Sequence, residues 1–242
     1  MRIIARLDVK TGFLIKSIKF DGQKKIGPPE NFAFKYYENN IDELLILNNT
    51  GSLFNTLLDS NILEKIRSKV SIPISAGGGI SSTKDAEKLI NSGCDKIIIN
   101  SLLYENPKVF SEIVSVFGSS SVIGSIQYKR NNKNTTYFRM AREQSGLSLS
   151  DTIKKNIDYG CGEILLTEIN NDGTYKGLDT KIYKDIKNFK SVPFLIGGGF
   201  NKIEEINYFN NFASAVVISS SFHYSKVNIK ELINSRNCIR KN

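Results

Sequence analysis

Two triglycine runs, Gly77-Gly78-Gly79 and Gly197-Gly198-Gly199, are the first places where this chain could hold an anion. Each follows a short apolar run and precedes a helix-start segment, Ile80-Ser81-Ser82 or Phe200-Asn201-Lys202. Glycine lets backbone N–H groups approach a phosphate, and a helix N-terminus adds a favourable dipole. Asn100-Ser101 and Ser219-Ser220 hold equivalent places after the next apolar runs and would complete two phosphate cradles. A tight turn needs the same glycines, but two copies, each beside polar residues, favour phosphate sites. Asp8 closes the first apolar run and is a candidate general acid/base. The competing account is a charge held by Lys10 or Lys16. The position equivalent to Asp8 is Gln127, an amide that cannot exchange protons at neutral pH. Asn48 is another amide where a carboxylate would be expected. Asp172, in the run NNDGT, either binds a ligand or makes an Asx turn with Gly173.

A second constellation lies at the other ends of the same runs. Arg2, Glu43, Lys96 and Glu163 each stand just before an apolar stretch. Two charges of each sign can close a neutral ring, which offsets the cost of burial. Spacing alone favours a salt-bridged floor over a polar gate.

The elements that must position these groups are short β-branched runs alternating with amphipathic segments. The runs are Ile3–Leu7, Leu44–Leu47, Ile72–Ser75, Ile97–Ile99, Val122–Ile126, Ile164–Thr167, Phe194–Ile196 and Ala215–Ile218. The segments include Leu57–Lys69, Thr83–Asn91, Pro107–Phe117, Leu149–Tyr159, Lys181–Asn188 and Lys202–Phe209. Near-continuous apolar strands separated by helices read as a parallel sheet covered by helices. The chain also repeats itself. IPISAGGGI (72–80) aligns with VPFLIGGGF (192–200), and IDELLILN (41–48) with CGEILLTE (161–168), both at a shift of 120. IIINS (97–101) aligns with VVISS (216–220), and ARLDVK (5–10) with GSIQYK (124–129), both at 119. The expectation is an α/β fold, a (β/α)8 TIM barrel. It would form one domain over residues 1–242, built from half-barrels of about 1–120 and 121–242. An open doubly wound sheet would leave the repeat unexplained.

Composition excludes several classes. With 242 residues, 40% hydrophobic and 24% charged, the chain can bury a core. No apolar run approaches the roughly 18 residues of a membrane span. Cys94, Cys161 and Cys238 are too widely spaced for a disulfide framework or a Cys-based zinc site. Neither metal nor cofactor is expected, and a reducing cytoplasm is the expected setting. The net charge of +9 calls for an anionic partner, yet its basic residues are scattered, without the aromatic-interleaved stripe of a nucleic-acid binder. Lys16, Lys19, Lys24 and Lys25 are expected in a loop after the first strand, where they would attract phosphates. His223 is expected to be structural.

The runs RIIARLDVKTG, IDELLIL, IPISAGGGI, GCDKIIINS, ENPKVF, GEILLTEINNDGTYKGLD and SSSFH together resemble the cyclase subunit of imidazole glycerol phosphate synthase, in order over nearly the whole chain. The resemblance implies a glutaminase partner at the N-terminal face of the barrel, with ammonia crossing the barrel to a phosphorylated ligand at the other end. It implies a gate at Arg2, Glu43, Lys96 and Glu163, acid/base work at Asp8, and substrate-side roles for Lys16, Thr167, Asp172 and Gly173. The family's second acid/base aspartate is matched by Gln127. The segment 13–29 is more similar to paralogues from bacterial surface-sugar clusters, which work with a glutaminase and a sugar amidotransferase. An intact gate beside a changed acid/base position therefore implies ammonia delivery to a different acceptor, such as a surface-polysaccharide sugar that is amidinated. The alternatives are a genuine cyclase of histidine biosynthesis and a non-catalytic scaffold that activates the glutaminase.

Overall fold

The computed structural model describes residues 1–132 and 134–239, without the side chains of 237–239. The eight expected runs form parallel strands: β1 (Arg2–Lys10), β4 (Glu43–Asn48), β5 (Ile74–Gly77), β6 (Lys96–Ile99), β7 (Val122–Tyr128), β10 (Glu163–Glu168), β11 (Phe194–Gly197) and β12 (Ala215–Ile218). β1 pairs with β4 on one side and β12 on the other, while β7 pairs with β10, so the sheet closes on itself. Closure makes this a (β/α)8 TIM barrel and excludes the open sheet.

Side-chain alternation explains why the strands are apolar on both faces. In β1, Ile3, Ala5, Leu7 and Val9 join the large core between sheet and helices. Ile4 instead joins Leu45, Ile98, Ile123, Leu165, Leu195, Ala215 and Val217 inside the barrel. The lumen is thus a packed layer with polar groups above and below it.

Helices Thr83–Asn91 and Pro107–Phe117 span the expected residues. Others are shorter than their periodicity suggests. Leu57–Lys69 narrows to Ser60–Arg67, because Asp59 caps the helix by accepting from the Asn61 N–H. Lys202–Phe209 narrows to Glu205–Phe209. Among the described residues, no helix is long and apolar enough to cross a membrane.

One expectation fails. The segment after β1 is not a loop but an antiparallel hairpin, β2 (Phe13–Ile18) and β3 (Asp21–Gly27), with β2 pairing onto the upper end of β1. A second hairpin, β8 (Thr135–Phe138) and β9 (Glu143–Ser148), continues from β7. The outer strand of each hairpin, DGQKKIG or EQSGLS, is mostly polar and partly or fully exposed, so apolar runs do not mark it. Cys94 and Cys161 are free and buried, and burial pushes both thiols up to about 12. The Cys238 side chain and residues 240–242, with the last two basic residues of the tail, lie outside the described residues.

Candidate active site

At the N-terminal end of the barrel the four expected charges meet. Arg2 bridges Glu43 at 2.8 Å and Glu163 at 2.7 Å, and Lys96 lies 3.2 Å from the other Glu163 oxygen. Ser75 Oγ donates to Glu43 at 2.9 Å. The result is a chain of alternating charges beneath the apolar lumen layer.

Four more charges meet above that layer, and the sequence reading anticipated only three of them. Arg6 Nε donates to Asp8 Oδ1 at 2.8 Å, and its Nη2 donates to Asn49 Oδ1 at 3.2 Å. Lys16 Nζ lies 3.1 Å from Asp172 and 3.9 Å from Asp8. All four side chains are buried, two of each sign. Burial opposes the Arg6 charge, but Asp8 and Asp172 outweigh it and hold the guanidinium above its ordinary value. The Asp8 charge is therefore held by Arg6 first and Lys16 second. Lys10 turns away and donates to Gln23. Arg6 was legible by parity: it shares a strand face with Ile4 and Asp8, so it had to point inward.

Gln127 sits beside Thr167 in register on the neighbouring strand. It is buried, and among the described residues its Oε1 has no hydrogen-bond partner. Asn48 also borders the cavity at this mouth, and its Nδ2 donates to the Thr56 carbonyl at 2.9 Å, which fixes its own loop.

The two triglycine loops do fall at the C-terminal ends of β5 and β11. Gly78 has φ +100°, and a Cβ there would stand 2.2 Å from the Asn48 carbonyl oxygen. Close backbone packing alone thus demands glycine, whether or not a ligand binds. What differs is the space in front of each loop. Gly78, Gly79, Asn100, Ser101, Ser125 and Gln127 line a cavity of about 170 Å³. Arg6, Asp172, Gly173, Gly198, Gly199, Ser219 and Ser220 enclose only about 20 Å³. The space before the second loop is thus the tighter of the two.

Two carboxylates that the sequence reading missed fix these loops. Asp85 accepts from the Ser81 N–H at 2.9 Å and from its hydroxyl at 2.7 Å. Glu205, 120 residues later, accepts from the N–H groups of Asn201 (2.9 Å), Lys202 (3.1 Å) and Leu178 (2.7 Å). The same repeat that aligns the glycines aligns these two acids. Below the second loop, His223 is held between the Tyr36 hydroxyl (2.5 Å) and Ser219 Oγ (3.1 Å). Burial depresses its pKa to about 3, so the ring is neutral near pH 7. Phe20, Tyr137, Met140 and Ile169 pack together from the two hairpins and the segment after β10, and the Arg6 guanidinium lies 5.5 Å from the Phe20 ring.

A closed parallel barrel with its polar groups gathered at the strand C-termini defines a (β/α)8-barrel protein of the kind that works at that face. The family model of histidine biosynthesis proteins matches residues 2–228. The chain is 38% identical over 209 residues to the imidazole glycerol phosphate synthase subunit HisF of Legionella pneumophila, covering 86% of this chain and 99% of that one. It is 33% identical over 233 residues to the HisF subunit of Pyrococcus furiosus, and 35% over 234 to that of Helicobacter hepaticus. Both matches cover 96% of this chain and 93% of the relative. The chain belongs to the histidine biosynthesis protein family and, within it, to the HisF type.

Proposed function

We propose that this barrel is the synthase subunit of a glutamine-dependent complex. A glutaminase docks at its N-terminal face, and ammonia passes the Arg2–Glu43–Glu163–Lys96 chain toward a phosphorylated or sugar acceptor at the opposite mouth. The whole chain acts as one barrel domain of two half-barrels, in a reducing cytoplasm. The acceptor is not cyclised by the acid/base pair of the histidine pathway. One observation carries this reading: Asp8 accepts from Arg6 with one oxygen, and its counterpart Gln127 is an amide that neither takes up nor releases a proton near neutral pH. With one acid/base group where two are needed, a loss of about 10²–10⁴-fold is expected.

The relatives' names favour a second reading, a genuine cyclase of imidazole glycerol phosphate synthesis. Those names lend no support to a surface-polysaccharide sugar as acceptor or to a sugar amidotransferase partner. Both of these ideas rest on Gln127 and the segment 13–29. Purified with its glutaminase, the protein is expected not to form imidazole glycerol phosphate, and robust turnover would establish the cyclase instead. Lys96→Ala tests the ammonia route. Loss of glutamine-dependent product with ammonia-dependent product retained supports a conduit, whereas no product under any condition points to a scaffold.

A further inference from the structure

Resting on the reading that a glutaminase docks at the N-terminal face, we infer that the contact continues around the barrel's flank. There a groove takes an acidic segment of that partner, with an apolar side chain on it. The groove lies between helix Ile182–Ile186 and the segment that follows helix Glu205–Phe209, with a volume of about 630 Å³. Tyr183, Lys187, Phe189, Lys190, Pro193 and Phe212 line it.

Position ties the groove to the ammonia entrance. Pro193 and Ser214, both on its lining, each accept a backbone hydrogen bond from the foot of a neighbouring strand. Pro193 accepts from the Ile164 N–H at 3.0 Å and Ser214 from the Arg2 N–H at 2.9 Å. Arg2 and Glu163 belong to the charged chain at that face, so a body seated over the chain comes within a residue of the groove. Apolar surface agrees with position. Tyr183 and Tyr208 each remain 44% exposed, and their rings lie 5.0 Å and 5.4 Å from that of Phe212. Aromatic rings held together at the surface are the usual anchors of a protein interface. Charge then selects the partner's chemistry. Lys187 and Lys190 are exposed, and no Asp or Glu lines the groove among the described residues. Asp185, on the same helix, faces Arg130 instead at 2.6 Å. The groove is therefore positive and complements an acidic segment. Nothing in it calls for a small ligand, since no lining residue carries a buried polar atom without a partner among the described residues.

Calorimetric titration of the full chain with its purified glutaminase tests this. Lys187→Glu/Lys190→Glu is expected to weaken binding about tenfold or more. Tyr183→Ala is expected to do the same, while Tyr183→Phe, which keeps the ring, stays within about twofold of the parent. Lys108→Glu/Lys154→Glu makes the same charge change at exposed helix positions elsewhere and is also expected to stay within about twofold. Unchanged affinity in Lys187→Glu/Lys190→Glu, or an equal loss in the two charge variants, would overturn the inference. So would a parent that is dimeric in sedimentation equilibrium and becomes monomeric in Tyr183→Ala, because the groove would then join two copies of this chain. Circular dichroism checks the fold. Should Tyr183→Ala fail to fold, the comparison of the two charge variants decides alone, since both change exposed side chains. A parent that does not bind the glutaminase at all removes the docking reading and the groove together. A parent that binds, with Lys187→Glu/Lys190→Glu binding equally well, removes the groove and leaves the docking reading in place.

Discussion

The loops after β5 and β11 begin from nearly the same sequence, yet the spaces in front of them differ in size and lining. Both have three glycines, an acidic side chain capping the backbone N–H groups that follow, and a hydroxyl-bearing strand end alongside. The difference arises in the lumen. On one side Gln127 stands back and leaves a cavity, while on the other Arg6 and Asp172 fill the approach. A duplicated backbone therefore does not give two identical sites, because inward-facing side chains from other strands shape the space before each loop.

Removing a charge on the filled side should have the largest effect. Asp8→Ala leaves Arg6 buried without its closest partner and is expected to cost about 3–5 kcal/mol in denaturant unfolding. Gln127→Ala removes an acceptor that lacks a partner and should cost less than half of that. Equal losses would erase the contrast between the sides.

The next effect is a pH dependence. His223 has a folded pKa of about 3 against an unfolded value of about 6.5, so the unfolded chain takes up the proton first as pH falls. Its contribution is present above pH 6.5 and shrinks below it, by roughly 3 kcal/mol at pH 4. His223→Gln should flatten that part of the stability profile, and an unchanged slope would show that other groups produce it. A smaller effect tests the first cradle. Ser101→Asp should weaken phosphate binding at least tenfold, about 1.4 kcal/mol, in calorimetric titration. The smallest concerns the caps. Glu205 accepts from three backbone N–H groups, one of them Leu178 in a separate loop, whereas Asp85 accepts within its own loop, so Glu205→Ala should destabilise by about 1 kcal/mol more in thermal melts.

Much of this was legible in the residues themselves. β-branched runs marked all eight barrel strands, because a parallel strand buried on both faces must be apolar throughout. The repeat placed the glycine loops at equivalent strand ends. The two hairpins escaped notice because DGQKKIG and EQSGLS are polar and solvent-facing, and their pairing is set by neighbouring strands. At the site, types and spacing placed Asp8, Lys16, Asp172 and Gln127 at one end of the barrel. What they could not convey was occupancy. The unequal cavities depend on how far the Arg6 and Gln127 side chains reach into shared space, which neither residue's neighbours in sequence determine.

The pairing of β1 with β12 also sets an order of events during synthesis. On the edge of β1 that faces away from β4, Arg2–Ala5 pairs with Ala215–Ile218. At about 5–20 residues per second, that edge waits on the order of 10–40 s after it leaves the ribosome. Hairpin β2–β3 covers only the upper part of the same edge, at Asp8–Lys10. The lower part is a bare strand for the whole interval, open to pairing with another nascent chain. Weakening β12 would then first lower the yield of folded protein made in the cell, before any change in the activity of the molecules that close.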